Sequence, residues 1–355
     1  MNEDILTLTV NGKQFQGKKG QTVLEVCLEN EIHIPRLCYH PKMPPYGGCR
    51  LCIVEIEKMR GLPPSCTTPA TDGMVVHTHT DNAVRVRKTA LELLLAFGDH
   101  NCLLCESNGS CELQDLVYEY GIDHVQIQTQ ITPLPLDDSN SMIVRDLNKC
   151  VLCSRCVRAC IDVQVNGVID VAYRGSESFI STFQGLPLKE SNCVFCGECV
   201  SVCPTGAQIE KQAKFTGRPW ELKKVITTCV YCGVGCQLEV NVKGGKVVKL
   251  TSNHEISGPN SGSLCAKGRF GYEFIHHPDR LTTPLIKKNG EFKEATWDEA
   301  LNIVTENFKR IMGEAGPDAI GFFSSARITN EENYVAQKFA RAVIGTNNVD
   351  HCARL

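Results

Sequence analysis

The sequence has no run of 18 apolar residues, so it offers no segment able to cross a membrane as a helix. It has no long block of Lys or Arg; 37 basic against 40 acidic side chains leave a formal net charge of −3. That excludes nucleic-acid binding through a strongly basic surface. The short cluster Arg85, Arg87 and Lys88 reads as a solvated helix face. The first ten residues, MNEDILTLTV, hold no basic stretch, no apolar core and no twin-arginine pair, so a cytoplasmic protein is expected. In that setting disulfides are disfavoured. Cysteine itself is abundant, with 21 in 355 residues, so the spacings must say which metal the thiols hold.

Two to three domains are expected from the length, and the cysteine modules refine this to an α+β multidomain chain. Leu6, Leu8 and Val10 alternate with polar residues, and Asn11-Gly12 follows, which predicts a strand entering a hairpin with a primed turn. A second strand over Lys13 to Gln16 and a helix begun by Thr22 come next. Strand, hairpin, helix and then a cysteine-bearing loop is, by analogy of fold, the order of a β-grasp ferredoxin over 1–80. Ala83 to Phe97 predicts a helix with Ala90, Leu91, Leu94 and Leu95 on its apolar side. It leads into a His/Cys3 module over 81–128. The Pro-, Thr- and Asp-containing run 129–140 reads as a linker. A double cysteine motif occupies 141–212, a further cysteine set 222–282, and the start of an α/β domain 283–355.

Nineteen cysteines fall into five ligand sets. Cys38, Cys49, Cys52 and Cys66 read C-x10-C-x2-C-x13-C, the logic of a [2Fe–2S] ferredoxin loop with a longer first gap; zinc is the competing reading. Gly47 and Gly48 would let the backbone approach the sulfides. His100, Cys102, Cys105 and Cys111 suit an iron–sulfur cubane or a Cys3His zinc site. Cys150, Cys153, Cys156 and Cys160 make C-x2-C-x2-C-x3-C; Cys193, Cys196, Cys199 and Cys203 repeat it and end in Pro204. This is the two-cluster bacterial ferredoxin pattern, in which each fourth cysteine crosses to the other cluster. Cys203 therefore belongs with Cys150, Cys153 and Cys156, and Cys160 with Cys193, Cys196 and Cys199. Cys229, Cys232, Cys236 and Cys265 form a last set, C-x2-C-x3-C-x28-C, with alternating KVVKL between them suggesting a small β unit around one cubane. The total is one [2Fe–2S] and four [4Fe–4S] clusters. Five oxidised clusters would add about −9, for a holo charge of about −12. Partners presenting basic patches fit that charge. Cys27 reads as a buried structural thiol.

The segment SLCAKGRFGYEFIHHPDRLTTPLI resembles the N-terminal cluster domain of the molybdopterin oxidoreductase family. That resemblance implies that Lys267 lies between cubane and pterin; an ordinary surface lysine is the alternative. SSARITNEENYVAQKFARAVIGTNNVDHCARL resembles the start of a formate dehydrogenase catalytic domain, and Asn348 to Arg354 is its most specific stretch. The front 210 residues resemble the electron-input module shared by NAD-linked formate dehydrogenases, the large iron–sulfur subunit of complex I, and [FeFe]-hydrogenases. One departure is that a single residue, Asn101, separates His100 from Cys102, where those relatives often have three.

The resemblance implies oxidation of formate to carbon dioxide at a molybdenum or tungsten bis-molybdopterin guanine dinucleotide. Electrons would pass through the clusters to a flavin/NAD(P)-binding or ferredoxin-linked subunit. It also implies that the residue after Leu355 is a metal-binding selenocysteine or cysteine, that the reading frame continues beyond it, and that the 355 residues alone are inactive on formate. The alternative is a non-catalytic electron-transfer subunit like that of complex I. An [FeFe]-hydrogenase is disfavoured because the fourth module has the wrong cysteine set. His351 and Cys352 receive no role.

Overall fold

The computed structural model describes residues 5–127, 129 and 132–352. Alternating Leu6, Leu8 and Val10 form β1 (Ile5–Val10), which turns at Asn11-Gly12 into β2 (Lys13–Lys18). Both turn residues take positive φ, as a primed hairpin turn requires. Thr22 then caps α1 (Val23–Glu29) in a reciprocal capping box with Glu25, a device worth about 1 kcal/mol. β3 (Glu55–Ile56) and β4 (Val75–His77) complete a mixed sheet of order β2-β1-β4-β3, with β1 and β4 parallel. Leu8, Val10, Leu24, Val26, Cys27, Val54 and Val76 fill the core under it. Cys27 is fully buried, and burial pushes its thiol up to about 11.

Thr80 caps α2 (Asp81–Ala96), and α3 (Glu112–Glu119) packs against it. Leu91, Leu113, Leu116 and Tyr120 meet Leu37, Leu51 and Val151 in a second core that joins three cysteine modules. Arg87 corrects the reading of a solvated charged face. Arg85 and Lys88 are exposed, but Arg87 is fully buried, donating to the Tyr120 hydroxyl (3.1 Å) and the Ile53 carbonyl (2.5 Å). Of the expected linker 129–140, Gln130 and Ile131 lie outside the described residues. The rest holds no helix or strand but is anchored: Asn148 both accepts from the Leu134 amide (2.8 Å) and donates to its carbonyl (2.9 Å).

The double motif sits between β5 (Ile143–Arg145) and β8 (Gln208–Glu210), which pair antiparallel. Inside it lie α4 (Arg155–Arg158), the hairpin β6 (Ile169–Ala172) with β7 (Phe179–Thr182), and α5 (Glu198–Ser201). Beyond it, β9 (Lys223–Thr228), β10 (Gln237–Lys243) and β11 (Lys246–Thr251) form the antiparallel β unit expected around the last set. It is followed by α6 (Ala266–Phe270). Phe270 is buried in the core of the double motif, beside Cys156, Ile143 and Leu188. Its burial contributes about 1.5–3 kcal/mol to holding the two units together.

The remaining residues form the hairpin β12 (Leu285–Lys288) and β13 (Glu291–Glu294), then α7 (Trp297–Ala315). β14 (Phe322–Ser324), α8 (Asn330–Phe339) and β15 (Val349–His351) follow, with β14 and β15 parallel. None of the residues of α7 is buried. Of the tail singled out in the sequence, Ala353, Arg354 and Leu355 lie outside the described residues. No described helix is long and apolar enough to cross a membrane.

Candidate metal centres

The first set closes on itself. Cys38, Cys52 and Cys66 are buried and Cys49 is half-buried. Close contact with the sulfurs of Cys49 and Cys66, and then with the backbone amides of Cys49 and Gly48, holds the Cys38 thiol well below its usual range. The same contacts drive Cys49 and Cys66 upward, and contact with Cys66 lowers Cys52. The loop reaches this geometry through left-handed residues at Gly47 and Arg50, and a Cβ on Gly48 would collide with the Tyr46 ring.

In the second set, Cys102, Cys105 and Cys111 act electrostatically on one another. A Cβ on Gly206 would stand 2.6 Å from the Cys105 sulfur, so the absence of a side chain there makes room for that thiol. His100 faces elsewhere: its Nε2 meets the Leu94 carbonyl at 3.2 Å, and burial lowers its pKa. The structure thus brings the three thiols together and leaves His100 turned to α2.

The third and fourth sets interleave. The charge of Cys203 acts on Cys150, Cys153 and Cys156, and these four line one small enclosed cavity. Cys160 acts on Cys193, Cys196 and Cys199. The two loops repeat in backbone as well as in sequence, with Leu152 and Ser154 left-handed in one, Phe195 and Gly197 in the other. That coiling turns amides toward sulfur: Leu152 donates to Cys150 and Phe195 to Cys193, each at 3.4 Å. Burial pushes Cys150 up to about 11 and Cys153 to about 12. Such thiols ionise readily only beside a compensating cation, which is the chemistry an iron–sulfur cluster supplies.

Cys229, Cys232, Cys236 and Cys265 lie close enough for their charges to act on one another. Cys232 and Cys265 are exposed, as is Lys267. Among the described residues no three His, Cys, Asp or Glu side chains are grouped to hold a single metal ion.

Buried and half-buried cations join the sets, and sequence spacing revealed none of them. Arg158 donates to the carbonyls of Cys38 and of Pro44 (2.6 Å for the latter). Arg155 grips the Glu112 carboxylate at 2.6 and 2.8 Å, next to Cys111. Lys42 pairs with Glu198 at 2.6 Å and donates to Ser263 at 2.5 Å. Arg269 pairs with Glu210 at 3.4 Å.

Family models match in the same order as these sets. A 2Fe–2S iron–sulfur cluster binding domain matches 3–81 and the NADH-ubiquinone oxidoreductase-G iron–sulfur binding region matches 87–126. A 4Fe–4S dicluster domain matches 149–207. The molybdopterin oxidoreductase Fe4S4 domain matches 222–277, and molybdopterin oxidoreductase itself 280–355. The chain belongs to the molybdopterin oxidoreductase family, with iron–sulfur domains at its front.

Within that family it is 38% identical over 351 residues to the NADPH-Fe(3+) oxidoreductase subunit alpha of Geobacter sulfurreducens, covering 99% of this chain and 40% of that protein. It is 34% identical over 391 aligned positions to a Staphylococcus aureus protein whose name assigns formate dehydrogenase activity only provisionally, covering 99% of this chain and 39% of that one. A crystal structure of an NAD+-reducing [NiFe]-hydrogenase in the H2-reduced state matches with 34% identity and a TM-score of 0.57, over 60% of this chain and 90% of that one. The chain spans about 40% of the length of the curated relatives it matches.

Proposed function

We propose that this molybdopterin oxidoreductase chain is the iron–sulfur electron-transfer portion of a formate dehydrogenase. It would carry one [2Fe–2S] cluster on Cys38, Cys49, Cys52 and Cys66 and four [4Fe–4S] clusters on the other sets. The observation that supports the reading is that Cys203 lines one small cavity with Cys150, Cys153 and Cys156, while Cys160 acts on Cys193, Cys196 and Cys199. Bound clusters would take up and pass on single electrons. The protein's own part is to fix their spacing, exclude water and set the local field. Cores shared between modules do the first two, and the buried arginines supply positive field. His100 would have to turn its Nε2 away from the Leu94 carbonyl to join its set as a ligand. Formate as the substrate rests on the resemblance of 324–355 and on the provisional name of one relative. The described residues do not enclose a pterin: α7 is unburied and the parallel pair β14–β15 stands alone among the described strands. Lys267, exposed two residues beyond Cys265, is the residue that would face such a cofactor from this chain.

A second reading is an electron-transfer subunit that exchanges electrons with NAD(P)-linked partners. It is favoured by the Geobacter relative and by the hydrogenase match, which covers 90% of that chain. The two separate by electron source. In the full-length protein, anaerobic addition of formate should bleach the cluster absorbance. Bleaching by NADPH with a flavoprotein partner, and none by formate, would favour the second reading. Anaerobic preparations should contain about 18 iron atoms per chain. Stoichiometric zinc instead would reject the iron–sulfur assignment, and a shortfall of about four would point to the His100 set.

A further inference from the structure

Arg269 is the last residue but one of α6, the helix capped by Cys265 of the final thiol set. Its side chain leaves that set and crosses to the preceding one, where Nε donates to the Cys196 carbonyl at 3.4 Å. Gly197 makes the crossing possible, since a Cβ there would collide with the Arg269 side chain. Beneath it, Nη1 meets Glu210 Oε1 at 3.4 Å, and both side chains are 1% exposed. Arg269 Nη2 and Glu210 Oε2 have no hydrogen-bond partner, so the pair is incompletely satisfied. A buried ion pair of this kind is weak evidence for stability, because desolvation offsets most of its attraction. The placement calls for another use.

We propose that Arg269 and Glu210 are positioning residues that set the redox step between the Cys160/Cys193/Cys196/Cys199 cubane and the Cys229–Cys265 cubane. This rests on the reading that those sets hold cubanes. The step is one electron passing from cluster to cluster, with no bond broken and no proton moved. An added electron makes a cluster more negative, so a fixed cation beside it favours the reduced form and a fixed anion opposes it. Arg269 points its charge at the Cys196 loop, and Glu210 stands behind it. The 3.4 Å contact of Arg269 Nε with the Cys196 carbonyl holds that charge against the loop that carries the ligand. The other charged groups facing this pair and this thiol are Lys249, which acts on Glu210, and Glu198, which acts on Cys196 and is itself paired with Lys42.

The test is a redox titration of the purified holoprotein at pH 8, followed by electron paramagnetic resonance, on the wild type and on Glu210→Gln, Arg269→Lys and Arg269→Met. Glu210→Gln keeps the shape and removes the anion. It should raise the midpoint of the Cys193–Cys199 cubane, shifting the reduced-to-oxidised ratio about tenfold, which is about 59 mV for one electron. Arg269→Met should move it the opposite way by a similar factor, and Arg269→Lys should stay near the wild type. A purely structural role gives no reason for opposite signs. An unchanged midpoint in Glu210→Gln with full iron content overturns the proposal, as do shifts of the same sign in Glu210→Gln and Arg269→Met. If Arg269→Met loses the cluster, the glutamine and lysine variants decide. A wild-type protein without cubane signals overturns the iron–sulfur reading itself, and this proposal with it.

Discussion

Cys203→Ala should abolish the cubane assigned to Cys150, Cys153 and Cys156, and leave the one held mainly by Cys193, Cys196 and Cys199. Proximity in sequence suggests the opposite outcome, since Cys203 follows Cys199 by four residues. The fold reverses it. α5 carries the chain past Cys199, and Cys203 lines the same small cavity as the three earlier cysteines. Its charge is felt by Cys150, Cys153 and Cys156. A cubane deprived of one of four thiolates loses a ligand that buried surroundings cannot replace with water. The expected loss is about four of about 18 iron atoms, together with one set of magnetic resonance signals. Cys160→Ala should remove the other cubane. Loss of only the Cys193–Cys199 signals in Cys203→Ala would reject the crossed arrangement.

The thiol groupings were legible in the sequence because a cluster demands several ligands from one short loop, and that demand appears as spacing. Even the crossing followed from the repeated motif. The first hairpin and α1 were equally legible, since alternation, Asn11-Gly12 and Thr22 act locally. Arg87 was misread although its signal was present. It lies four residues before Leu91, on the apolar side of α2, so helical geometry sends it inward with its neighbours. The orientation of His100 toward Leu94 depends on how α2 ends against the following loop, which no residue spacing expresses. The arginine bridges are harder still. Arg269 meets Glu210 across 59 residues and Arg158 meets Cys38 across 120. Those contacts exist only once modules distant in sequence have packed together.

Glu112→Ala should destabilise the union of the His/Cys3 module with the double motif more than its half-exposed position suggests. The Arg155 side chain is 5% exposed, and both bonds to Glu112 are charge-assisted. Removing the carboxylate strands a guanidinium that cannot shed its charge. Breaking a fully buried pair from one side costs about 3–5 kcal/mol. The Glu112 side chain is 46% exposed, so water screens part of this and about 2–3 kcal/mol is the fitting figure. Adding Arg155→Met to the first substitution removes the stranded charge, so the double variant should be more stable than Glu112→Ala alone. A protein that sheds clusters as it opens unfolds irreversibly, so the measurement is the half-life of cluster absorbance in urea. If the whole effect falls on the opening barrier, Glu112→Ala should shorten that half-life by up to about a hundredfold, with the double variant recovering much of the loss. Equal half-lives for the wild type and Glu112→Ala would show that the Arg155 bridge does not hold the modules together. A double variant less stable than Glu112→Ala would show that Arg155 acts through its packing and its bond to the Val202 carbonyl rather than through its charge.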